Sequence, residues 1–126
     1  MTRAILALAA LVLAIGTGLP ARAAEDGFAA FWKRFSTAVG KDDKAALAAM
    51  TTLGPGLDNN DTPLTFDKVH ALLLRPAARR CLARAKPLRD VDGTGAVDYD
   101  VFCGQVIYVF SKTGGEWRWT DTSPDD

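Results

Sequence analysis

The chain has 126 residues, and its 15 lysines and arginines are balanced by 15 aspartates and glutamates. Because this balance gives no overall attraction to a polyanion, the composition predicts neither a nucleic-acid partner nor electrostatic binding to an anionic membrane. The length predicts one domain with a single hydrophobic core.

Residues 1–23 have the features of a cleaved signal peptide. A positively charged start is followed by an apolar run from Ala4 to Ile15 and by the small-x-small sequence Ala21-Arg22-Ala23. A membrane anchor is the alternative, but this apolar run is shorter than the roughly 20 residues needed to cross a bilayer. We therefore expect an exported protein, periplasmic or extracellular, whose single domain spans residues 24–126 and makes no membrane contact after cleavage.

The next segment predicts an amphipathic helix that Asp26 caps at its start and Gly40 ends. Its apolar stripe, at the spacing of one helix face, consists of Phe28, Phe31, Trp32, Phe35 and Val39. An aromatic stripe of this kind forms either plain core or the wall of a ligand site, and in this chain the two roles are compatible.

Two shorter helices are predicted next. The first spans Lys44 to Met50 after the capping pair Asp42-Asp43, and a loop rich in glycine, proline and aspartate follows over residues 52–63. Thr65 then caps a helix whose apolar face is Phe66, Val69, Leu72 and Leu73. The only histidine, His70, lies beside this face, and we expect a surface or half-buried residue rather than a metal ligand or a base.

The last predicted helix is opened by Pro76 and ends before Pro87. No acidic residue interrupts its positive charges, which are Arg75, Arg79, Arg80, Arg84, Lys86 and Arg89. This basic face is either a solvated surface whose counter-charges are the aspartates that follow, or a site for an anion or an acidic partner protein.

The segment from Asp90 to Phe102 resembles the calcium loop of EF-hand proteins over its first nine positions. Val101 stands where the bidentate glutamate of that loop belongs, and the residues that follow are typical of a strand. A hairpin accounts for the same residues, with a strand over Leu88–Val91, a turn over Asp92–Gly95 and a returning strand. We therefore predict a turn rather than a metal site.

The clearest sheet signal runs from Ala96 to Thr120. Its first half alternates apolar and polar residues, and residues 106–110 are apolar at every position, which favours a strand covered on both faces. Gly114-Gly115 predicts a tight turn, after which Trp117 and Trp119 fall on one face of the returning strand.

The two cysteines, Cys81 and Cys103, predict a disulfide, because an even number of cysteines in an exported chain favours oxidation. A thiol nucleophile would lack a nearby base, and two cysteines with one histidine make a poor zinc site. The bond would tie the last helix to the central sheet and contribute roughly 3 kcal/mol in the chain-entropy account.

No catalytic motif in the sequence identifies the protein as an enzyme. The chain has no phosphate-binding loop, no dinucleotide-binding glycine pattern and no nucleophile elbow, so no cofactor is predicted. Acid–base catalysis by an aspartate, assisted by His70 or Tyr108, is chemically possible, but no spacing identifies such a set.

The order of helices followed by strands, and in particular the segments Phe28–Thr51 and Tyr108–Asp121, resembles small exported bacterial members of the nuclear transport factor two-like superfamily. The resemblance implies an α+β fold in which N-terminal helices pack on a curved antiparallel meander from the C-terminal part and enclose a pocket. Members include isomerases, dehydratases and binding proteins. The segment Leu64–Ala85 departs from the pattern, and the Asp–His pairs of the enzymes are not assigned to positions here.

The sequence thus predicts a non-enzymatic binding domain with a pocket for a small apolar ligand between the first helix and the sheet. The candidate pocket residues are Phe28, Trp32, Phe35, Tyr108, Phe110 and Trp117. One alternative is an enzyme of the same fold with isomerase-like or dehydratase-like acid–base chemistry. The other is an inhibitor or immunity-type protein that binds its partner through the Arg75–Arg89 face.

Overall fold

The computed structural model describes residues 26–54, 57 and 65–125, so the predicted signal peptide and most of the predicted 52–63 loop lie outside the described residues. Four helices precede four strands in the chain. The helices are α1 (Phe28–Lys41), α2 (Lys44–Ala49), α3 (Phe66–Leu73) and α4 (Pro76–Arg84), and the strands are β1 (Leu88–Val91), β2 (Val97–Cys103), β3 (Val106–Thr113) and β4 (Glu116–Pro124). This is the predicted α+β class.

The four strands form one antiparallel meander, in the order β1-β2-β3-β4, and the sheet does not close into a barrel. The two-residue turn between β3 and β4 is built by Gly114 and Gly115, whose φ values of 60° and 82° are the left-handed conformations predicted for them. A bulge between Val109 and Phe110 shifts the register of β3 on β4. Bulges of this kind bend a strand and increase its local twist.

The β1–β2 hairpin is confirmed, with its register running from Leu88 opposite Asp100 to Val91 opposite Val97. The carboxylate of Asp92 accepts hydrogen bonds from the backbone N–H groups of Thr94 and Ala96 and from the Thr94 hydroxyl. The hydrogen bond from that hydroxyl is the main cause that lowers the pKa of Asp92. The aspartate that resembled a calcium ligand therefore fixes its own turn.

The helix caps follow the predictions in part. Asp43 accepts a hydrogen bond from the N–H of Ala46 at the start of α2, and Thr65 accepts one from Lys68 at the start of α3. The predicted end of the first helix is wrong, because α1 continues through Gly40 to Lys41. Asp42 takes the left-handed conformation instead, with φ at 51°, which aspartate adopts more readily than most residues.

The core lies between α1 and the inner face of the sheet, the face that carries Tyr108, Phe110, Trp117 and Trp119. Phe35, Phe110 and Trp119 at its centre are 0% exposed. The expectation that residues 106–110 are covered on both faces is wrong, since Ile107 and Val109 are only partly buried while Tyr108 and Phe110 are buried. Ile107 and Val109 alternate with Tyr108 and Phe110 along β3, so they lie on the face of the sheet opposite the core.

Two long-range connections hold the helices to the sheet. The predicted disulfide joins Cys81 on α4 to Cys103 on β2, with Cα atoms 5.8 Å apart. At the β4 edge, the N–H of Trp119 donates to the carbonyl of Met50 and the N–H of Thr52 donates to the carbonyl of Trp119, so the chain after α2 pairs with β4. No helix within the described ranges is long and apolar enough to cross a membrane.

Candidate functional site

Five of the six predicted pocket residues contact one another in the core. The ring of Phe110 lies 4.9 Å from that of Phe35 and 5.4 Å from that of Trp32, and the ring of Trp117 lies 5.1 Å from that of Phe28. The sixth, Tyr108, packs on Trp119 instead, and its hydroxyl donates to the carbonyl of Leu73. Ligand binding by this set stays a prediction, and of the six only Trp117 lines the cavity described below.

The start of α1 is anchored to the sheet by Asp26. Its carboxylate accepts hydrogen bonds from the backbone N–H of Phe28 and from the hydroxyl of Tyr99, and its carbonyl accepts one from the indole N–H of Trp117. The rings of Phe28 and Tyr99 stack with centroids 3.7 Å apart. Burial, followed by the bond to Asp26, raises the pKa of Tyr99. These contacts fix the wall that α1 contributes to the cavity.

This cavity, which we term the hairpin cavity, has a volume of about 460 Å³ and lies between the first half of α1, the end of α2 and the β3–β4 turn. Among the residues that line it are Phe31, Arg34, Met50, Lys112, Trp117 and Arg118. Apolar surface from three elements therefore meets three cationic side chains at one opening.

The cations of the hairpin cavity are held to different degrees. Arg118 donates to the carbonyl of Ala49 and to the carboxylate of Glu116, at 2.9 Å and 3.3 Å, so its guanidinium is fixed and its charge is balanced. The ammonium of Lys112 lies 5.5 Å from the centroid of the Trp117 ring, within the range of a cation–π interaction. Lys112 and Arg34 make no ion pair with any residue in the described ranges.

These cations were not predicted from the sequence, although one signal for them was present. A two-residue turn at Gly114-Gly115 fixes the register of the hairpin and places Lys112 opposite Trp117, as the structure shows. Arg34 carried no comparable signal, because its neighbours in the cavity come from residues far away in the chain.

His70 is 9% exposed and thus buried, against the expectation of a surface or half-buried position. Its Nε2 lies 2.6 Å from Oδ1 of Asp42, and Nε of Arg79 lies 3.6 Å from the same oxygen. The hydrogen bond with His70 is the main cause that lowers the pKa of Asp42. The pair joins the end of α1 to α3, and Arg79 extends the contact to α4.

The counter-charges of the basic helix differ from those expected. Arg79 pairs with Asp42 and Arg89 lies 3.9 Å from the carboxylate of Asp26, so the partners precede the helix instead of following it. Within residues 26–54, 57 and 65–125, no group of three or more histidine, cysteine or acidic side chains is arranged to hold a metal ion.

No protein-family model, curated protein or solved structure matches this chain. The fold and the site therefore define only a general class of protein. The chain is an α+β domain with helices on an antiparallel meander, one disulfide and a cavity beside the sheet that is lined by cations. Membership of the nuclear transport factor two-like superfamily stays a prediction.

Proposed function

We propose that the protein is a non-enzymatic binding domain that takes a compact organic anion with a flat apolar part in the hairpin cavity. The observation that carries the proposal is that Arg34, Lys112 and Arg118 share one cavity with the indole of Trp117. This modifies the expectation of a purely apolar ligand, since the space beside the sheet is bordered by cations as well as by apolar side chains.

The dimensions and charges of the cavity support this ligand class. Its volume of about 460 Å³ lies within the range typical of small-molecule sites, about 300–1,000 Å³. The carboxylate of Glu116 is engaged by Arg118 and that of Asp26 by Tyr99, whereas Arg34 and Lys112 have no ionic partner in the described part of the chain. An anionic group would supply that partner, and a ring would lie against Trp117 and Met50.

The enzyme alternative receives less support from the geometry. Acid–base catalysis needs a carboxyl or imidazole group at the substrate, with its pKa tuned toward the working pH. Among the aspartates in the described part of the chain, Asp100 is the one whose pKa is raised, and it lies on the outer face of the sheet, away from the hairpin cavity. The His70–Asp42 pair is used to join three helices.

The proposal is tested by calorimetric titration with two probes that differ in charge, 1-naphthalenesulfonate and 1-naphthalenemethanol. We expect the anion to bind and the neutral alcohol to bind at least tenfold more weakly. The double variant Arg34→Ala/Lys112→Ala should weaken sulfonate binding about 30-fold, because it removes two charge-assisted contacts of the order of 1 kcal/mol each.

The matched control is Arg80→Ala/Arg84→Ala, which removes two arginines from α4 and leaves the hairpin cavity intact. Equal binding of the two probes, or unchanged sulfonate binding by the cavity variant, would overturn the proposal.

The proposed setting is outside the cytoplasm, either periplasmic or extracellular. It is supported by the Cys81–Cys103 disulfide, since such bonds persist in oxidising compartments. Mass spectrometry of the protein recovered from its host tests this: export predicts a chain that starts at Ala24 and lacks two hydrogens. A cytoplasmic chain that keeps residues 1–23 would contradict it.

A further inference from the structure

A second concave surface lies at the opposite end of the sheet from the hairpin cavity. We term this surface the disulfide groove, and its volume is about 590 Å³. The residues that line it are Arg80, Cys81, Arg84, Ala85, Lys86, Leu88 and Phe102. We propose that the disulfide groove binds an extended acidic segment of a partner protein, which adds to the sheet beside β1.

The apolar part of the groove is exposed to solvent. Leu88 is 57% exposed and Phe102 is 47% exposed. Because Leu88 pairs with Asp100, two residues before Phe102, the two apolar side chains lie on the same face of the sheet and are diagonal neighbours. Adjacent exposed apolar side chains of this size are typical of a surface that a partner covers.

The polar part of the groove is entirely cationic. Arg80 and Arg84 are one helical turn apart on α4, and Lys86 follows them. None of these three pairs with a carboxylate in the described ranges, whereas Arg79 and Arg89 on either side of them do. Of the four basic side chains of this segment that have no ion pair in the described ranges, Arg75 lies elsewhere and the other three line this groove, where their charge complements an acidic partner.

The backbone of β1 supplies the third element of recognition. Among the strands of residues 26–54, 57 and 65–125, β1 lies at the edge of the sheet and pairs with β2 alone, and all four of its residues are exposed. Such an edge offers free N–H and C=O groups to an added strand, the mode in which extended peptides bind sheet edges. An occupant that satisfies all three elements is an extended peptide that alternates acidic and apolar side chains.

Fluorescence anisotropy with labelled ten-residue peptides tests the proposal. We expect a peptide of alternating aspartate and valine to bind, and its lysine–valine counterpart to show no binding. The same acidic peptide should lose binding when one of its two alternating sets of backbone nitrogens is N-methylated, because N-methylation removes the donors that pair with an edge strand.

The groove variant is Arg80→Ala/Arg84→Ala/Lys86→Ala, for which we expect the Kd of the acidic peptide to rise about tenfold. A second variant, Phe102→Ser, should weaken binding while it leaves the cations in place. Circular dichroism spectra that match those of the unaltered protein confirm that both variants are folded.

The control Arg34→Ala/Lys112→Ala alters the hairpin cavity and should leave peptide binding unchanged, so this proposal and the proposed function fail independently. Equal affinity for the acidic and basic peptides, or an unchanged Kd in the triple groove variant, would overturn the docking of an acidic segment. Sedimentation experiments provide a further test. If the unaltered protein self-associates and the triple variant does not, the occupant of the groove is a second copy of this chain, and the proposal is overturned.

Discussion

Nε2 of His70 lies 2.6 Å from Oδ1 of Asp42, and Asp42 is the residue at which α1 turns out of its helix with φ at 51°. Arg79 on α4 contacts the same oxygen and donates a further hydrogen bond to the carbonyl of Leu74. One carboxylate thereby connects the end of α1 to His70 on α3, 28 positions later, and to Arg79 on the helix that follows.

Acid should weaken this connection. The pKa of Asp42 is lowered from its ordinary value of 3.8, first by the hydrogen bond with His70 and then by the charge of Arg79. A carboxyl group whose pKa is lower in the folded state stabilises the fold fully above 3.8, and that contribution is lost as the pH falls through the lowered value. We expect Asp42→Asn to reduce the thermal unfolding temperature at pH 7. The difference in unfolding temperature between the variant and the unaltered protein should become smaller as the pH falls from about 4 to about 2.

Asparagine also tolerates the left-handed backbone at position 42, so the substitution isolates the charge. Asp125→Asn, on the exposed end of the described chain, is the control. An effect of Asp42→Asn that is the same at pH 7 and pH 2 would show that the carboxylate charge is irrelevant.

The charge of Asp100 should have the opposite effect on stability to that of Asp42. Burial raises its pKa, and the charges of Asp90 and Asp98 raise it further. The charged form is therefore disfavoured in the fold, so a penalty is present at neutral pH and disappears as the pH falls below the ordinary value of 3.8. We expect Asp100→Asn to raise the unfolding temperature at pH 7 by about 2–4 °C and to change it little at pH 3. Destabilisation at pH 7 would refute this account.

Loss of the disulfide should cost about 3 kcal/mol of unfolding free energy, because the bond closes a loop of 22 residues in the unfolded chain. The double variant Cys81→Ala/Cys103→Ala, measured by urea unfolding, gives this value directly. A reductant should lower the unfolding free energy of the unaltered protein to about that of the variant, and it should leave the unfolding free energy of the variant unchanged. If the reductant has no effect on the unaltered protein, the bond does not contribute as expected.

Tyr99→Phe should lower the unfolding free energy by about 1 kcal/mol, since it removes the hydroxyl that donates to Asp26 and keeps the ring that stacks on Phe28. Tyr99→Leu removes the stacked ring as well and should be more destabilising. Because Asp26 fixes the α1 wall of the hairpin cavity, Tyr99→Phe should also weaken binding of 1-naphthalenesulfonate. Equal unfolding free energies for Tyr99→Phe and the unaltered protein would rule out the anchor.

Local patterns predicted most of the fold. The alternation in β2, the paired glycines at 114 and 115, and the capping side chains of Asp43 and Thr65 each act within a few residues, so they are visible in the sequence. The two-sided burial expected for β3 failed because apolar side chains on an outer face do not require a covering layer.

The site was harder to predict for a physical reason. The anchor at Asp26 and the Asp42–His70 pair join residues that are 73 and 28 positions apart, and no short-range spacing encodes them. Aromatic residues in a stripe can pack on one another or on a ligand, and composition does not separate the two. In the structure, the rings of α1 contact those of the sheet. The cavity beside them is lined by the cations Arg34 and Lys112.

The contact between Trp117 and Asp26 spans 91 residues, so it forms only after β4 has been synthesised. The ribosome delivers the aromatic stripe of α1 long before the strands that bury it. The nascent chain therefore carries an unshielded row of phenylalanine rings, the kind of segment that holding chaperones bind. We expect core closure to wait until β4 has emerged from the ribosome.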